Sequence, residues 1–112
     1  MIEKTRVLGA PGRWAAWLIM RHGRRVGQDF RLGRMTYMGR EGERCDVVLD
    51  DHSVSSRHAC VKLEQSRFYL YDLASRNGTF VNGLRVEEPR LLDDGDEIRI
   101  GRTRLIFKQV SL

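Results

Sequence analysis

Residues 58–73 read HACVKLEQSRFYLYDL and decide the fold class. Apolar residues recur at every second position in 58–64, which is the period of a half-buried strand, and 67–73 is rich in aromatic residues. Gln65 and Ser66 stand between the two runs. The stretch therefore predicts a β-hairpin that turns around this pair.

The same pattern of short strands and turns continues on both sides of this hairpin. Asn82-Gly83 separates 79–81 from 84–86 and is the two-residue signal of a type I′ turn, in which φ is positive twice. No window carries a helical apolar stripe. The other runs with strand character are 14–21, 29–32, 35–38, 46–49, 90–92, 97–100 and 103–108. About eleven short strands predict an all-β fold, an antiparallel β-sandwich with ligand-binding loops at one end.

The length of 112 residues fits one domain, and a hydrophobic content of 41% is ordinary for a globular fold. Residues 1–13 are mixed in polarity and include Gly9-Ala10-Pro11-Gly12, a turn or linker composition. We expect a flexible tail or linker at 1–13 and one domain at 14–112. The apolar run 14–20 is too short to span a bilayer, and 1–13 does not resemble a secretory leader. The cytoplasm is the expected compartment, with no membrane partner.

The net charge of +5 indicates an anionic partner, and phosphorylated protein, nucleic acid and acidic lipid all fit it. Arginines outnumber lysines by 17 to 3, and a guanidinium can grip phosphate with two parallel hydrogen bonds. Codon bias in a GC-rich genome explains the excess equally well. Single-strand binders combine a basic groove with exposed aromatic residues. Here the arginines are scattered and the aromatic residues at 68–71 fit a hairpin core, so nucleic acid is not expected.

Three loop segments carry more polar residues than turning the chain requires: Gly39-Arg40, SVSSRH at 53–58 and SRNGT at 75–79. Arg40 stands beside a glycine on a loop, where its guanidinium can hold two phosphate oxygens. Ser55 offers a compact hydroxyl donor, and successive amides around Ser55 and Ser56 can form an anion-binding concavity. Asn77 carries a carboxamide that can pair with the N–H and C=O groups of an extended peptide.

The order and spacing of these segments resemble the forkhead-associated (FHA) domain, a module that binds phosphothreonine peptides. The resemblance runs from about Trp14 to Val110 and rests on four motifs: glycine-arginine at 39–40, Ser-x-x-His at 55–58, Ser-x-Asn-Gly-Thr at 75–79 and Asn-Gly at 82–83. It implies a non-catalytic binding module in kinase-dependent signalling or assembly, and a partner that contains phosphothreonine. It implies no cofactor, and we expect the isolated domain to be monomeric.

The resemblance also assigns roles to individual residues. Arg40 and Ser55 would be the main phosphate contacts, with Ser56 and Arg76 contributing, and Asn77 would hold the peptide backbone. Loop support would come from four further residues: Gly39, His58, Gly78 and Asn82. The position after the loop serine is often arginine in the family, whereas here it is Ser56 and the arginine follows at Arg57. The charge that this loop contributes is therefore left open.

Catalysis and metal binding are not expected. Ser55 and His58 suggest a nucleophile and a base, but residues three apart at a strand entrance point to different faces, and no acid is placed to complete a triad. The acidic run 93–97 lacks the spacing of a calcium loop. The histidines and cysteines have no ligand spacing. Cys60 is expected to be a buried free thiol, although a disulfide with Cys45 is left open.

Two other interpretations stay open at this point. The fold can serve as a scaffold that binds through a sheet face without recognising phosphate. Thr5, in the tail, can be an internal phosphosite that folds back on the binding loops. The sequence decides neither of them.

Overall fold

A computed structural model describes residues 14–23 and 25–112, and these form eleven strands in two sheets and no helix. The predicted tail at 1–13, and with it the hypothesis on Thr5, lies outside the described residues. The strands are β1 (Trp14–His22), β2 (Asp29–Arg31), β3 (Met35–Gly39), β4 (Val47–Val48), β5 (Ala59–Glu64), β6 (Arg67–Asp72), β7 (Thr79–Val81), β8 (Leu84–Arg85), β9 (Arg90–Leu91), β10 (Glu97–Ile100) and β11 (Thr103–Ser111).

The first sheet has the strand order β2-β1-β11-β10-β7-β8, and the second has the order β4-β3-β5-β6-β9. Neighbouring strands run antiparallel except β3 and β4, which pair in parallel through Met38 and Val47. The predicted all-β sandwich of about eleven strands is confirmed. The strand β11 extends beyond the predicted end at residue 108, because β1 pairs with it as far as Trp14 opposite Ser111.

Both predicted hairpins are present, and the Asn82-Gly83 turn has the two positive φ angles that the sequence predicts. In the β5–β6 hairpin Gln65 has φ 50° and Ser66 has φ 67°, and in the β7–β8 hairpin Asn82 has φ 50° and Gly83 has φ 84°. Positive φ at both central residues gives a two-residue turn a twist that matches the flanking strands. The turns therefore set the register of the strands on either side.

The core lies between the two sheets and is formed by the side chains that each strand directs inward. Phe107 of β11 is fully buried and packs against Phe68 of β6, with ring centroids 5.6 Å apart. Other fully buried side chains are Leu18, Met38, Val61, Leu70, Ile98, Ile100 and Leu105. Each such side chain stabilises the fold by about 1.5–3 kcal/mol relative to an exposed one. This core fixes the strand ends from which the loops 40–46, 49–58, 73–78 and 101–102 leave.

Two further observations concern membrane-spanning helices and the state of the cysteines. Within these residues no helix has the length and apolar character needed to cross a membrane. Cys45 is half-buried and Cys60 is buried, both as free thiols, so the pairing left open by the sequence is absent. Burial raises the pKa of both thiols, although the nearby Arg57 opposes the effect, and both therefore favour the protonated form.

Candidate functional site

Two loops meet through their backbones at the end of the sandwich. The Arg40 N–H donates to the Ser55 carbonyl at 3.1 Å, and the Glu41 N–H donates to the Ser56 carbonyl at 3.1 Å. A Cβ on Gly39 would collide with the Ser56 carbonyl oxygen and would lie 2.9 Å from the Arg57 Cα. Position 39 therefore requires glycine because another loop approaches it closely. Glycine is favoured at position 78 for a different reason, because Gly78 has a positive φ of 88°.

His58 is fully buried and links the serine loop to the loop that carries Asn77. Its Nδ1 accepts a hydrogen bond from the Ser55 N–H at 3.0 Å. The proton must therefore sit on Nε2, which donates to the Gly78 carbonyl at 2.9 Å. The ring thus satisfies one backbone group in each loop from inside the fold, away from solvent.

Asp72, the last residue of β6, organises the loop 73–78 that follows it. Its Oδ1 accepts hydrogen bonds from the Ser75 and Thr79 hydroxyls, both at 2.6 Å, and its Oδ2 accepts one from the Ser75 N–H at 3.1 Å. Ser75 Oγ in turn accepts from the Gly78 N–H at 3.0 Å. The serine and threonine of the Ser-x-Asn-Gly-Thr motif therefore shape the loop and leave its exposed tip to Arg76 and Asn77.

The same contacts shift the titration of Asp72. Burial by itself would raise the pKa of this carboxyl group. The hydrogen bonds from Ser75 and Thr79 stabilise the carboxylate, outweigh the effect of burial and hold the pKa below its ordinary value. A depressed pKa means that the carboxylate contributes stability above its unfolded pKa. That contribution is lost as the pH falls through the folded pKa.

We therefore predict that Asp72→Asn lowers the free energy of unfolding at pH 7, because the amide presents N–H groups to donors that need acceptors. The deficit should be about 1–3 kcal/mol at pH 7 and should shrink below about pH 4, where wild type loses its advantage. Urea unfolding from pH 7 to pH 3 measures it. Asp29→Asn, at an exposed position in β2, is the control. A deficit that stays constant across this pH range would contradict the prediction.

A cleft of about 430 Å³ opens between the loops. Its lining consists of two arginines, three serines, a histidine and a valine: Arg40, Arg76, Ser53, Ser55, Ser56, His52 and Val54. No residue of this lining is acidic, whereas two guanidinium groups belong to it. The described residues thus surround the cleft with donors and positive charge.

Ser55 is held so that its hydroxyl proton is available to the cleft. Its Oγ accepts a hydrogen bond from the Arg76 N–H at 3.1 Å. A hydroxyl has one donor and two acceptor positions, so this contact leaves the proton free to point at a bound anion. The same bond places the Arg76 backbone beside Ser55. Ser55 is half-buried, whereas Arg40, Ser56 and Arg76 are exposed.

Asn77 is exposed and is not among the residues that line the cleft, but it contacts Ser53, which is. Its Nδ2 donates a hydrogen bond to the Ser53 carbonyl at 2.8 Å, which joins the loops 49–58 and 73–78. One N–H and the Oδ1 oxygen take no part in this bond. The carboxamide is therefore fixed in place while it keeps a donor and an acceptor for a ligand.

Arg57 does not line the cleft. Its guanidinium carbon lies 3.7 Å from the ring centroid of Tyr37 on the outer face of the second sheet. Its Nε is buried and has no hydrogen-bond partner among the described residues. The question that the sequence left open is settled, since Ser56 stands beside Ser55 in the cleft and the neighbouring arginine is turned away.

Asn82, which the resemblance names as a loop-supporting residue, makes its side-chain hydrogen bonds to the residues at the start of β10. Asn82 lies at the far end of β7, where its Nδ2 donates to Asp96 at 2.9 Å and its Oδ1 accepts from the Glu97 N–H at 3.0 Å. It therefore fastens its own hairpin to the start of β10. Sequence reasoning missed Asp51, whose carboxylate accepts from the Ser53 N–H at 2.8 Å and the Arg102 N–H at 2.7 Å. The Asp-x-Ser spacing of an Asx turn was the available signal.

The sequence pattern of the FHA domain family matches residues 30–101. This range includes every cleft residue named above, and the chain belongs to the FHA family. Domains of this family bind phosphothreonine peptides.

Two curated relatives and one solved structure show the closeness of the match. The chain is 38% identical over 100 residues to the oxoglutarate dehydrogenase inhibitor of Corynebacterium diphtheriae, covering 87% of this chain and 67% of that protein. It is 39% identical over 93 residues to the glycogen accumulation regulator GarA of Mycolicibacterium smegmatis, covering 83% of this chain and 58% of that protein. An FHA domain studied for phosphothreonine-dependent interactions superposes with a TM-score of 0.80 at 31% identity, covering 88% of this chain and 99% of that one. The chain thus spans only part of the curated relatives it matches.

Proposed function

We propose that this FHA domain binds a phosphothreonine-containing segment of a protein partner in the cleft between its loops. Arg40 and Ser55 are the main phosphate ligands in this proposal, and Ser56 and Arg76 supply further donors. Asn77 holds the backbone of the bound peptide next to the phosphate. Phosphate recognition by arginine and loop donors is an established mode of peptide binding.

The observation that carries the proposal is the composition and geometry of the cleft. Two arginines and three serines line it without an acidic residue. The Ser55 Oγ accepts a hydrogen bond from the Arg76 N–H at 3.1 Å, and its own O–H is left to donate to a ligand. A phosphate dianion needs several donors and positive charge, and hydrogen bonds to charged groups are about twice as strong as neutral ones.

Family membership supports threonine as the phosphorylated residue, because domains of this family bind phosphothreonine peptides. Preference for threonine over serine requires a small apolar contact for the γ-methyl group. Burying one methyl group contributes about 1 kcal/mol. Tight packing raises such discrimination to about 1–3 kcal/mol.

The site supports binding without catalysis. The His58 Nδ1 accepts from the Ser55 backbone N–H, so this nitrogen is not available to take a proton from the Ser55 hydroxyl. The relatives carry the names of an inhibitor and a regulator. We infer a monomeric, cytoplasmic regulatory module that responds to a protein kinase and needs no cofactor.

A degenerate phosphopeptide library first identifies a sequence that binds. Fluorescence anisotropy then compares three peptides of that sequence, which carry phosphothreonine, phosphoserine or unmodified threonine at the same position. We expect the phosphothreonine peptide to bind about tenfold more tightly than the phosphoserine peptide. The unmodified peptide should not bind measurably. Excess single-stranded DNA should not displace the phosphothreonine peptide. Equal binding of all three peptides, or displacement by DNA, would refute the proposal.

A further inference from the structure

A row of arginines crosses the outer face of the first sheet beside the cleft. Arg85 of β8 lies opposite Phe80 of β7, Phe80 lies opposite Arg99 of β10, and Arg99 lies opposite Arg104 of β11. We call Arg85, Phe80, Arg99 and Arg104 the arginine row. Neighbouring strands are about 4.8 Å apart, so the row spans about 14 Å across three strand-to-strand steps.

The guanidiniums of Arg85 and Arg99 pack against the Phe80 ring that lies between them. The Arg99 Cζ lies 4.2 Å from the Phe80 ring centroid, and the Arg85 Cζ lies 6.0 Å from it. Such packing holds the cation over the ring face and leaves N–H groups at its edge for other acceptors. Arg99 uses one of them at most, in a 3.5 Å contact from Nη1 to the Gly101 carbonyl.

The three guanidiniums of the row make no direct ion pair with another described residue. Arg99 and Arg104 are directly opposite each other, an arrangement that destabilises a sheet when the charges are alike. Among residues 14–23 and 25–112, no carboxylate oxygen lies within 4.0 Å of a guanidinium nitrogen of the row. Glu97 lies on the same face, opposite Ile106, and Glu87 and Glu88 stand near Arg85, all without such a contact. Proteins accept such departures from favourable pairing at functional sites.

The row is continuous with the loop that carries Arg76 and Asn77. A Cβ built on Gly78 would lie 3.0 Å from the Arg85 Cζ, so this guanidinium packs on the backbone of that loop. The other end of the row lies beside the turn 101–102, whose Arg102 N–H donates to Asp51. Asp51 in turn accepts from the N–H of the cleft residue Ser53. A chain that leaves the cleft over Gly78 therefore meets the row at once.

We propose that the arginine row binds an acidic segment of the same phosphorylated partner, outside the residues held in the cleft; this rests on the function proposed above. An extended chain advances about 3.4 Å per residue, so the row matches about four residues of glutamate, aspartate or phosphorylated side chains. The cleft recognises the phosphothreonine, and the row adds affinity for partners with acidic flanking sequence.

The test compares phosphothreonine peptides that carry four glutamates or four glutamines on the amino-terminal or the carboxy-terminal side. For wild type at low salt, we expect one of the glutamate extensions to raise affinity about tenfold over its glutamine counterpart, as three exposed ion pairs would. The gain should fall as salt is raised. The triple variant R85Q/R99Q/R104Q should lose this gain and should bind the unextended peptide as wild type does.

The matched control is R25Q/R34Q/R67Q, which removes the same charge from three exposed positions elsewhere. It should keep most of the gain. Because Arg99 is half-buried, R85Q/R104Q serves as a second variant at two exposed positions, and circular dichroism checks the fold of each.

A gain that persists in the row variants, is equally lost in the control, or is absent with both extensions would overturn the inference. Binding of single-stranded DNA to the row would also refute the inference if excess acidic peptide did not displace the DNA. Failure of wild type to bind the unextended phosphopeptide would instead refute the proposed function, and the inference with it.

Discussion

Arg40→Ala is expected to weaken binding of a phosphothreonine peptide by about 100-fold or more while the fold stays intact. A guanidinium that holds two phosphate oxygens makes two charge-assisted hydrogen bonds, each contributing about 1.5–3 kcal/mol. The Arg40 side chain is exposed and only its backbone joins the loops, through the bond to Ser55. Truncation therefore removes the ligand contact without a structural one, and isothermal titration calorimetry measures the loss.

Two companion variants make the Arg40 experiment specific. Arg44 lies in the same loop and is exposed, with its side chain 3.9 Å from Glu41, so Arg44→Ala removes the same charge outside the cleft. We expect at most about a threefold loss from it, as for a screened surface charge. Arg40→Lys keeps the charge but loses the planar fork, and its affinity should lie between those of wild type and Arg40→Ala. Equal losses for Arg40→Ala and Arg44→Ala would show that net charge, and not this site, governs binding. Unchanged affinity in Arg40→Ala would favour binding through a sheet face.

His58→Ala is expected to lower the free energy of unfolding by about 3 kcal/mol and to weaken phosphopeptide binding as well. The imidazole is fully buried, so its removal leaves a cavity. It also leaves the Ser55 N–H and the Gly78 carbonyl without their partners. Both loops then lose the contact that holds them together. Thermal and urea unfolding measure the stability, and calorimetry below the unfolding temperature measures the affinity.

The control for His58 is His52→Ala, a neighbouring histidine that is exposed. Its unfolding free energy should stay within about 0.5 kcal/mol of wild type, as for ordinary surface positions. His58→Asn tests the hydrogen-bonding role separately, because a carboxamide offers one acceptor and one donor group. We expect it to recover part of the lost stability. Equal stability of His58→Ala and wild type would contradict the role assigned to this ring.

Local signals were sufficient to predict the strands and their turns. Asn82-Gly83 specifies a turn with two positive φ angles, and the alternation in 58–64 specifies which side of that strand is buried. The segments that line the cleft were also visible, because Arg40, Ser55 and Arg76 stand in loops where polar residues serve no packing role. These features depend on neighbours in the chain, so one sequence is enough to find them.

Features that depend on how distant segments meet were not predictable. Gly39 was expected to support the loops, but the sequence did not show that a Cβ at this position would collide with the Ser56 carbonyl of another loop. The orientation of Arg57 depends on Tyr37, twenty residues earlier, and the role of Asp51 depends on the Arg102 amide. The arginine row likewise requires the register of four strands, because its members are far apart in sequence.

The most direct test of phosphothreonine binding in this cleft is an NMR titration of the ¹⁵N-labelled chain with the best phosphothreonine peptide from a degenerate library. We expect the largest amide shifts at Arg40, Ser55, Ser56, Arg76 and Asn77. The unphosphorylated peptide should leave these amides unchanged. Shifts concentrated on the outer face of either sheet, or equal shifts with both peptides, would contradict the assignment.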